Sequence, residues 1–554
     1  MSEGLRAALR RWPLASRARL LRLNVIARSG AHQDFVEFID QAEWRAALSA
    51  AQGKRVLIAT NTGGHFALAA IDRMLAVALT LRGALVTSVL CDAALPACQM
   101  CEFTLTPSMR DLETKRPDPL LCGYCYEPAA KRLNDLGLSL ATLGGHLTDA
   151  DRAEAKALAT SATLANAGSL IWRGMPIGEH ALAGALRFFA RGDLENETHG
   201  AAILKRYVES AALTAAAYAR LIEATKPDVL VAHHGIYTPQ GLAAAAARAA
   251  GVRVVTWNPA YRRHCFIFSH DDTYHHTLMD EPVETWRDRP LSAEEAQRVT
   301  SYLESRRRGD ADWIRFHQDP DANVAALGLD PAKPLIVALT NVFWDAQLHY
   351  PANAFPDQRT WLLDTIAYFA GRPDLQLVIR VHPAEVSGSP PSRQRAMGAI
   401  AERYPTLPSN VKIVPPESAL STYALAEAAD AALIYGTKMG VELSAVGLPV
   451  IVAGEAWARR KGFTIDATSP ADYRAQLSRL PFGKRLDPGQ QNLALQYAHH
   501  FFFRRMIELG FVEPVPGARR FNIAARSLND LKPGASHGLD VICNGILDGA
   551  AFVA

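Results

Sequence analysis

The chain lacks any run of about 18 apolar residues, so it offers no candidate for a bilayer-crossing helix. It lacks the pattern of a secretory leader, because arginine repeatedly interrupts the apolar residues near the N-terminus. It has little excess charge of either sign. Lys and Arg number 59 against 56 Asp and Glu, and a net charge of +3 gives no argument for a nucleic-acid partner. Cysteine is scarce, seven in 554 residues, with five between positions 91 and 125, which is not the framework of a secreted disulfide protein. A cytoplasmic protein is expected. The composition, 49% hydrophobic and 21% charged, is that of an ordinary globular chain. The length exceeds what one core can organise, so two or more domains are expected.

Residues 1–30 carry seven arginines against one glutamate, with Leu5, Leu9, Trp12, Leu14, Leu20, Leu21 and Leu23 among them. Two readings stand: an amphipathic segment in peripheral contact with the inner face of an anionic membrane, or a basic helix packed on the protein. From 54 onward short apolar runs alternate with alanine-rich helical stretches. KRVLIAT, ALVTSVLC, PDVLVAHH and VRVVTW read as strands, and GLAAAAARAAG as the helix between the last two. A second series begins at 334, with PLIVALTN, QLVIRVHP, VKIVPP, AALIYG and LPVIVAG as strands and helices near 358–371, 393–404, 420–428 and 438–446. The segment 493–511 reads as an aromatic-rich helix. The expected class is α/β: two Rossmann-like doubly wound domains facing a cleft, as in GT-B enzymes, with a Cys-rich zinc-ribbon-like insert in the first. The expected boundaries are a basic N-terminal segment at 1–50, an acceptor domain at 51–325 with the insert at 91–126, a nucleotide-sugar domain at 326–480, and a C-terminal helical segment at 481–554 that packs back across both.

In open α/β sheets ligands sit beyond the carboxyl ends of the strands. The run LVIRVHPAE ends a strand in His382-Pro383. Proline ends the ladder and holds the preceding residue extended. An imidazole at such a tip can donate to the phosphate of a leaving nucleotide, where charge develops as a glycosidic bond breaks. Arg380 shares its face of the strand. In IYGTKMGVELSAVGLPVIVAG a strand breaks at Gly436-Thr437 directly into a helix. Helix-start N–H groups bind phosphate, Thr437 adds a hydroxyl and Lys438 a cation. Glu442, one turn on, either holds ribose hydroxyls or is a helix-face charge. Asn341 ends the first strand of the second series.

These motifs resemble the capsule polysaccharide biosynthesis and export family, which includes bacterial β-Kdo transferases. The resemblance rests on Arg-x-His-Pro-x-Glu at 380–385, the strand–Gly-Thr–helix–Glu–GLPVIV unit, and NVFWD at 341–345. It covers about 334–512. It implies a GT-B glycosyltransferase that uses a nucleotide-activated sugar, often CMP-linked, without a catalytic metal, and that builds surface polysaccharide. It implies that His382 contacts the donor phosphate and that Gly436, Thr437 and Glu442 line the nucleotide site, with Asn341 and Asp345 in the matching first-strand segment. Family members commonly show serine-threonine where this chain has Gly436-Thr437.

The first domain would then bind a glycan or lipid-linked acceptor. Its first strand ends in Thr62-Gly63-Gly64-His65, similar to the glycine-rich first loop of the lipid-linked N-acetylglucosaminyltransferase of peptidoglycan synthesis. Glycines there would let an acceptor approach the backbone. His65 is a candidate general base, and a capping histidine in a tight turn is the alternative. His233, His234, Asp92, Asp271, Asp272 and Glu385 are further candidates. Cys98, Cys101, Cys122 and Cys125 form two CxxC pairs with zinc-ribbon spacing, which predicts a closed structural Zn²⁺ site, with Cys91 a substitute ligand. A nucleotide-sugar epimerase and a non-catalytic export protein are the competing readings. A nucleic-acid binder is disfavoured by the balanced charges around the cysteines.

Overall fold

A computed structural model describes residues 13–28, 41–307, 311–314, 320–348, 350–515 and 521–554. Part of the basic N-terminal segment thus lies outside the described residues; the rest forms the helix α1 (Pro13–Arg28) and a second helix, Gln41–Ala50. The first unit is built on β1 (Arg55–Asn61), β2 (Leu85–Leu90), β3 (Ser139–Thr142), β4 (Val229–His233), β5 (Arg253–Pro259) and β6 (Cys265–His270). The second is built on β7 (Leu335–Leu339), β8 (Gln376–Arg380), β9 (Val411–Val414), β10 (Ala431–Ile434), β11 (Val450–Val452) and β12 (Ile465–Asp466). β4, β7, β8, β10 and β11 are buried at every position. Their near-continuous apolar sequence follows from burial on both sheet faces. Each Ile, Leu or Val enclosed this way contributes about 1.5–3 kcal/mol.

The chain returns to the first unit at its C-terminus. β13 (Ile507–Glu508) pairs antiparallel with β6, Ile507 opposite Phe266, and completes a sheet of order β13-β6-β5-β4-β1-β2-β3. β5, β4, β1, β2 and β3 are mutually parallel, whereas β6 runs antiparallel to β5. The second sheet, β12-β11-β10-β7-β8-β9, is parallel throughout. β14 (Val512–Pro514) and β15 (Phe521–Ile523) form a separate hairpin. The expected 493–511 helix is shorter than its aromatic run suggests. The helix Pro488–His499 widens into one π turn, His500–Arg504, and the backbone is extended by Ile507.

Both sheets reverse direction of growth once. The chain goes from β1 outward to β2 and β3, then crosses to place β4 on the other side of β1. It likewise goes from β7 to β8 and β9, then places β10 on the other side of β7. Each reversal leaves a crevice at the carboxyl ends of the two central strands, the usual ligand position in such sheets. Residues from both crevices line one cavity of about 1060 Å³ between the units.

Candidate active site

From the second unit, the β8 end supplies His382. Its backbone N–H donates to the Thr340 hydroxyl (3.1 Å) at the end of β7, which ties the two strand tips together. The Ala384 N–H donates to His382 Nδ1 (3.1 Å), so the ring proton belongs on Nε2. Burial first, then Lys438 and Arg380, push its pKa down to about 4, so the ring is a neutral donor at pH 7. Arg380 is mostly committed elsewhere. Its guanidinium donates to the carbonyls of Pro415 (2.6 Å) and Ser418 (3.0 Å), tethering the loop after β9 while lining the cavity.

Asn341 bridges the β7 and β10 ends: its side-chain amide donates to the Gly436 carbonyl, and Gln358 donates to its own carbonyl (3.0 Å). Thr437 and Lys438 follow on the cavity wall. The helix they lead into, Met439–Ala445, has seven residues, so the Lys438 ammonium is the stronger source of positive potential there. Glu442 does not line the cavity. It accepts from Arg306 Nε (2.8 Å), Lys438 Nζ (2.7 Å) and the Tyr423 hydroxyl (2.5 Å). Burial opposes its ionisation, but Arg306 and Lys438 outweigh that and hold it down to about 2. Its place is behind the wall, fixing two cations that do line it.

From the first unit come His65 after β1 and His233 and His234 at the end of β4. His65 Nε2 and His234 Nδ1 are buried without a hydrogen-bond partner. Burial, reinforced by Arg187, lowers His65 to about 3 and His234 to about 4. His233 Nε2 pairs with Asn258 Oδ1 (3.1 Å). Gly63 and Gly64 serve helix packing, not acceptor access as their sequence suggested. A Cβ at Gly63 would stand 2.3 Å from Ala129 Cβ, and one at Gly64 2.7 Å from Met100 Cε.

Among the described residues the cavity wall excludes Asp92, Asp271, Asp272 and Glu385. Asp92 instead accepts from the Gly144 N–H (2.8 Å) and fixes the loop after β3. Glu385 accepts from the Ala396 N–H (3.0 Å), and burial raises it to about 7. The wall includes groups that the sequence did not single out: Arg187, Tyr237, Tyr261, His275 and Arg306. Arg187 lies on the helix Ile177–Phe189, donates to the Gln99 carbonyl (2.9 Å) and stands over the Tyr237 ring. Tyr237 reaches the second unit, donating to Asp345 Oδ1 (2.9 Å) and accepting from the Ala346 N–H (3.1 Å). Asp345 is open to the cavity, yet it lies deep between the units. The surrounding protein there displaces bulk water and raises its proton affinity despite the Tyr237 bond.

The cysteine insert is not a ribbon. Cys122 and Cys125 lie in a regular helix (Pro119–Asp135), started by Asp118 as cap and proline at its first position, not on a knuckle. All seven cysteines are free thiols. Cys98 and Cys101 sulfurs are 4.0 Å apart, close to one edge of a tetrahedral thiolate site with Zn–S bonds of about 2.3 Å. Cys125 Sγ accepts from the Gly64 N–H (3.3 Å). Among the described residues, however, no three His, Cys, Asp or Glu side chains are gathered as a metal site. The expected four-thiolate set is therefore not assembled.

No protein-family model and no curated protein matches the chain. Solved structures with a similar arrangement include the β-Kdo 2,4 transferase KpsC of Thermosulfurimonas dismutans, at 14% identity and TM-score 0.35, covering 49% of this chain and 79% of that one. UDP-GlcNAc 2-epimerase of Neisseria meningitidis matches at 10% identity and TM-score 0.28, covering 80% and 97%. The calicheamicin glycosyltransferase CalG4 matches at 13% and 0.24, covering 81% and 94%. Likenesses of this size do not decide between a transferase and an epimerase; the groups on the cavity wall carry the functional reading.

Proposed function

We propose that the protein is a GT-B glycosyltransferase of bacterial surface-polysaccharide assembly, moving a sugar from a nucleotide-sugar donor, CMP-linked by preference, to a glycan or glycolipid acceptor. The observation that carries this reading is the opposition of two sets of groups across one cavity. A neutral donor, His382 Nε2–H, and the Lys438 ammonium stand at the second unit's crevice. Proton acceptors stand opposite and between: His65, His234 and Asp345. The cavity, about 1060 Å³, is at the upper limit of the about 300–1,000 Å³ of single-ligand sites, which suits a donor and an acceptor together.

In the reaction we assign, Asp345 takes the proton of the acceptor hydroxyl. Burial raises its proton affinity while lowering that of His65 and His234, so Asp345 is the acceptor whose basicity this cavity enhances. The acceptor oxygen bonds to the anomeric carbon as the bond from that carbon to the phosphate oxygen breaks. The electron pair leaves on the phosphate, where His382 and Lys438 stabilise it. The test is a thermal-stability panel of CMP-, UDP- and GDP-sugars, followed by turnover with and without acceptor. One donor class is expected to raise the melting temperature by mass action, His382→Ala to lose that rise, and Asp345→Asn to keep it while losing transfer. Donor isomerised without any acceptor would make the protein an epimerase. No shift with any nucleotide sugar would remove the enzyme reading and leave an export or scaffold role.

A further inference from the structure

α1 buries one face of mixed polarity and leaves apolar side chains exposed on another. Ser16, Leu20 and Asn24 are buried against the Pro119–Asp135 helix. The Asn24 amide donates to the Leu120 carbonyl (2.8 Å), and Arg17 pairs with Asp118 (3.4 Å). Away from that face Leu21 is 52% and Val25 67% exposed, with Ala18 exposed beside Val25 in projection. At 3.6 residues per turn these three fall within an arc of about 60°. Arg17 borders that stripe on one side, and Arg22 and Arg19 on the other, all three exposed. α1 contains no acidic residue.

Single exposed apolar residues are ordinary on protein surfaces. Here two large ones lie one turn apart on one helix, between rows of guanidinium groups. A protein partner's apolar patch would be served by the stripe alone. An anionic bilayer surface uses both: apolar side chains enter the acyl boundary while arginines meet the headgroup phosphates. We infer that α1 is an interfacial helix that seats this protein on an anionic lipid surface through Leu21 and Val25, with Arg17, Arg19 and Arg22 at headgroup level. The helix that α1 rests on also sends Tyr124 and Arg132 to the cavity wall, so membrane seat and cavity share one rigid element. The inference does not depend on the chemistry assigned to the cavity.

The test is cosedimentation of the full chain with vesicles of phosphatidylcholine alone and of equal parts phosphatidylcholine and phosphatidylglycerol. Binding is expected only to the anionic vesicles, and to weaken with salt. Arg19→Gln/Arg22→Gln is expected to bind about 30-fold more weakly, each arginine near such a surface contributing about fivefold. Leu21→Gln/Val25→Gln is expected to lose binding by a similar factor. Because all four side chains are exposed, both variants should keep the wild-type melting temperature. Wild type that ignores anionic vesicles, equal binding to neutral ones, or variants that bind like wild type would each overturn the inference.

Discussion

Replacing Glu442 by Gln tests whether that carboxylate is a structural anchor or a ligand for ribose. Its side chain is 1% exposed and takes charged hydrogen bonds from Arg306 and Lys438. A carboxyl held at about 2 against an ordinary 4.5 contributes about 3 kcal/mol to folding when ionised in both states. Removing one member of a buried ion pair costs about 3–5 kcal/mol, an independent route to the same size. Because the folded-state pKa is the lower one, this stability is present above pH 4.5 and is lost as pH falls toward 2. Urea unfolding of wild type and Glu442→Gln, followed on the transition of the second unit, should differ by about 3 kcal/mol from pH 5 upward and by only about 1.4 kcal/mol at pH 3. A variant as stable as wild type but unable to bind nucleotide sugar would refute this: the carboxylate would then be spending its bonds on the ligand.

Tyr237→Phe removes a donor that favours ionised Asp345, so the acid limb of the kcat/KM profile should move to higher pH; an unmoved limb argues against Asp345 as the base. Gly63→Ala places a Cβ into Ala129 and the Cys125 carbonyl and should cost about 1–3 kcal/mol in thermal or urea unfolding. The CxxC spacing predicts a structural zinc that the described thiols do not assemble, and one measurement separates the two: elemental analysis finding one zinc per chain, with chelation lowering the melting temperature, would restore the zinc, whereas metal-free protein of unchanged melting would remove it.

Central strands were legible because parallel strands buried on both faces must be apolar at almost every position, as in LIVAL and VLVAH. β3, four residues at the sheet edge, is buried at no position and leaves no such mark. β13 spans two residues and is a strand only because β6 lies beside it. The site divides the same way. His382, Asn341, Lys438 and His234 were findable because they end readable strands. Arg187 and Tyr237 were not, since a helix and a loop bring them to the cavity by packing alone. Glu442 looked like a site residue because its partner Arg306 lies 136 positions away in sequence. The cysteine spacing matched a ribbon, but Asp118-Pro119 was a helix-start signal that outranked it.

The return of the chain to its first sheet bears on biosynthesis. β13 and the helix His537–Asp548, whose terminal carbonyls accept from Arg253, are translated after the second unit, yet they complete the first. Domains ordinarily fold in order as they leave the ribosome. Here the edge strand β6 waits with an unpaired ladder through the synthesis of more than 200 further residues. Throughout that interval the nascent first unit presents an open sheet edge to other chains. Truncation of the chain before β13 would therefore damage the unit farthest from the cut in sequence.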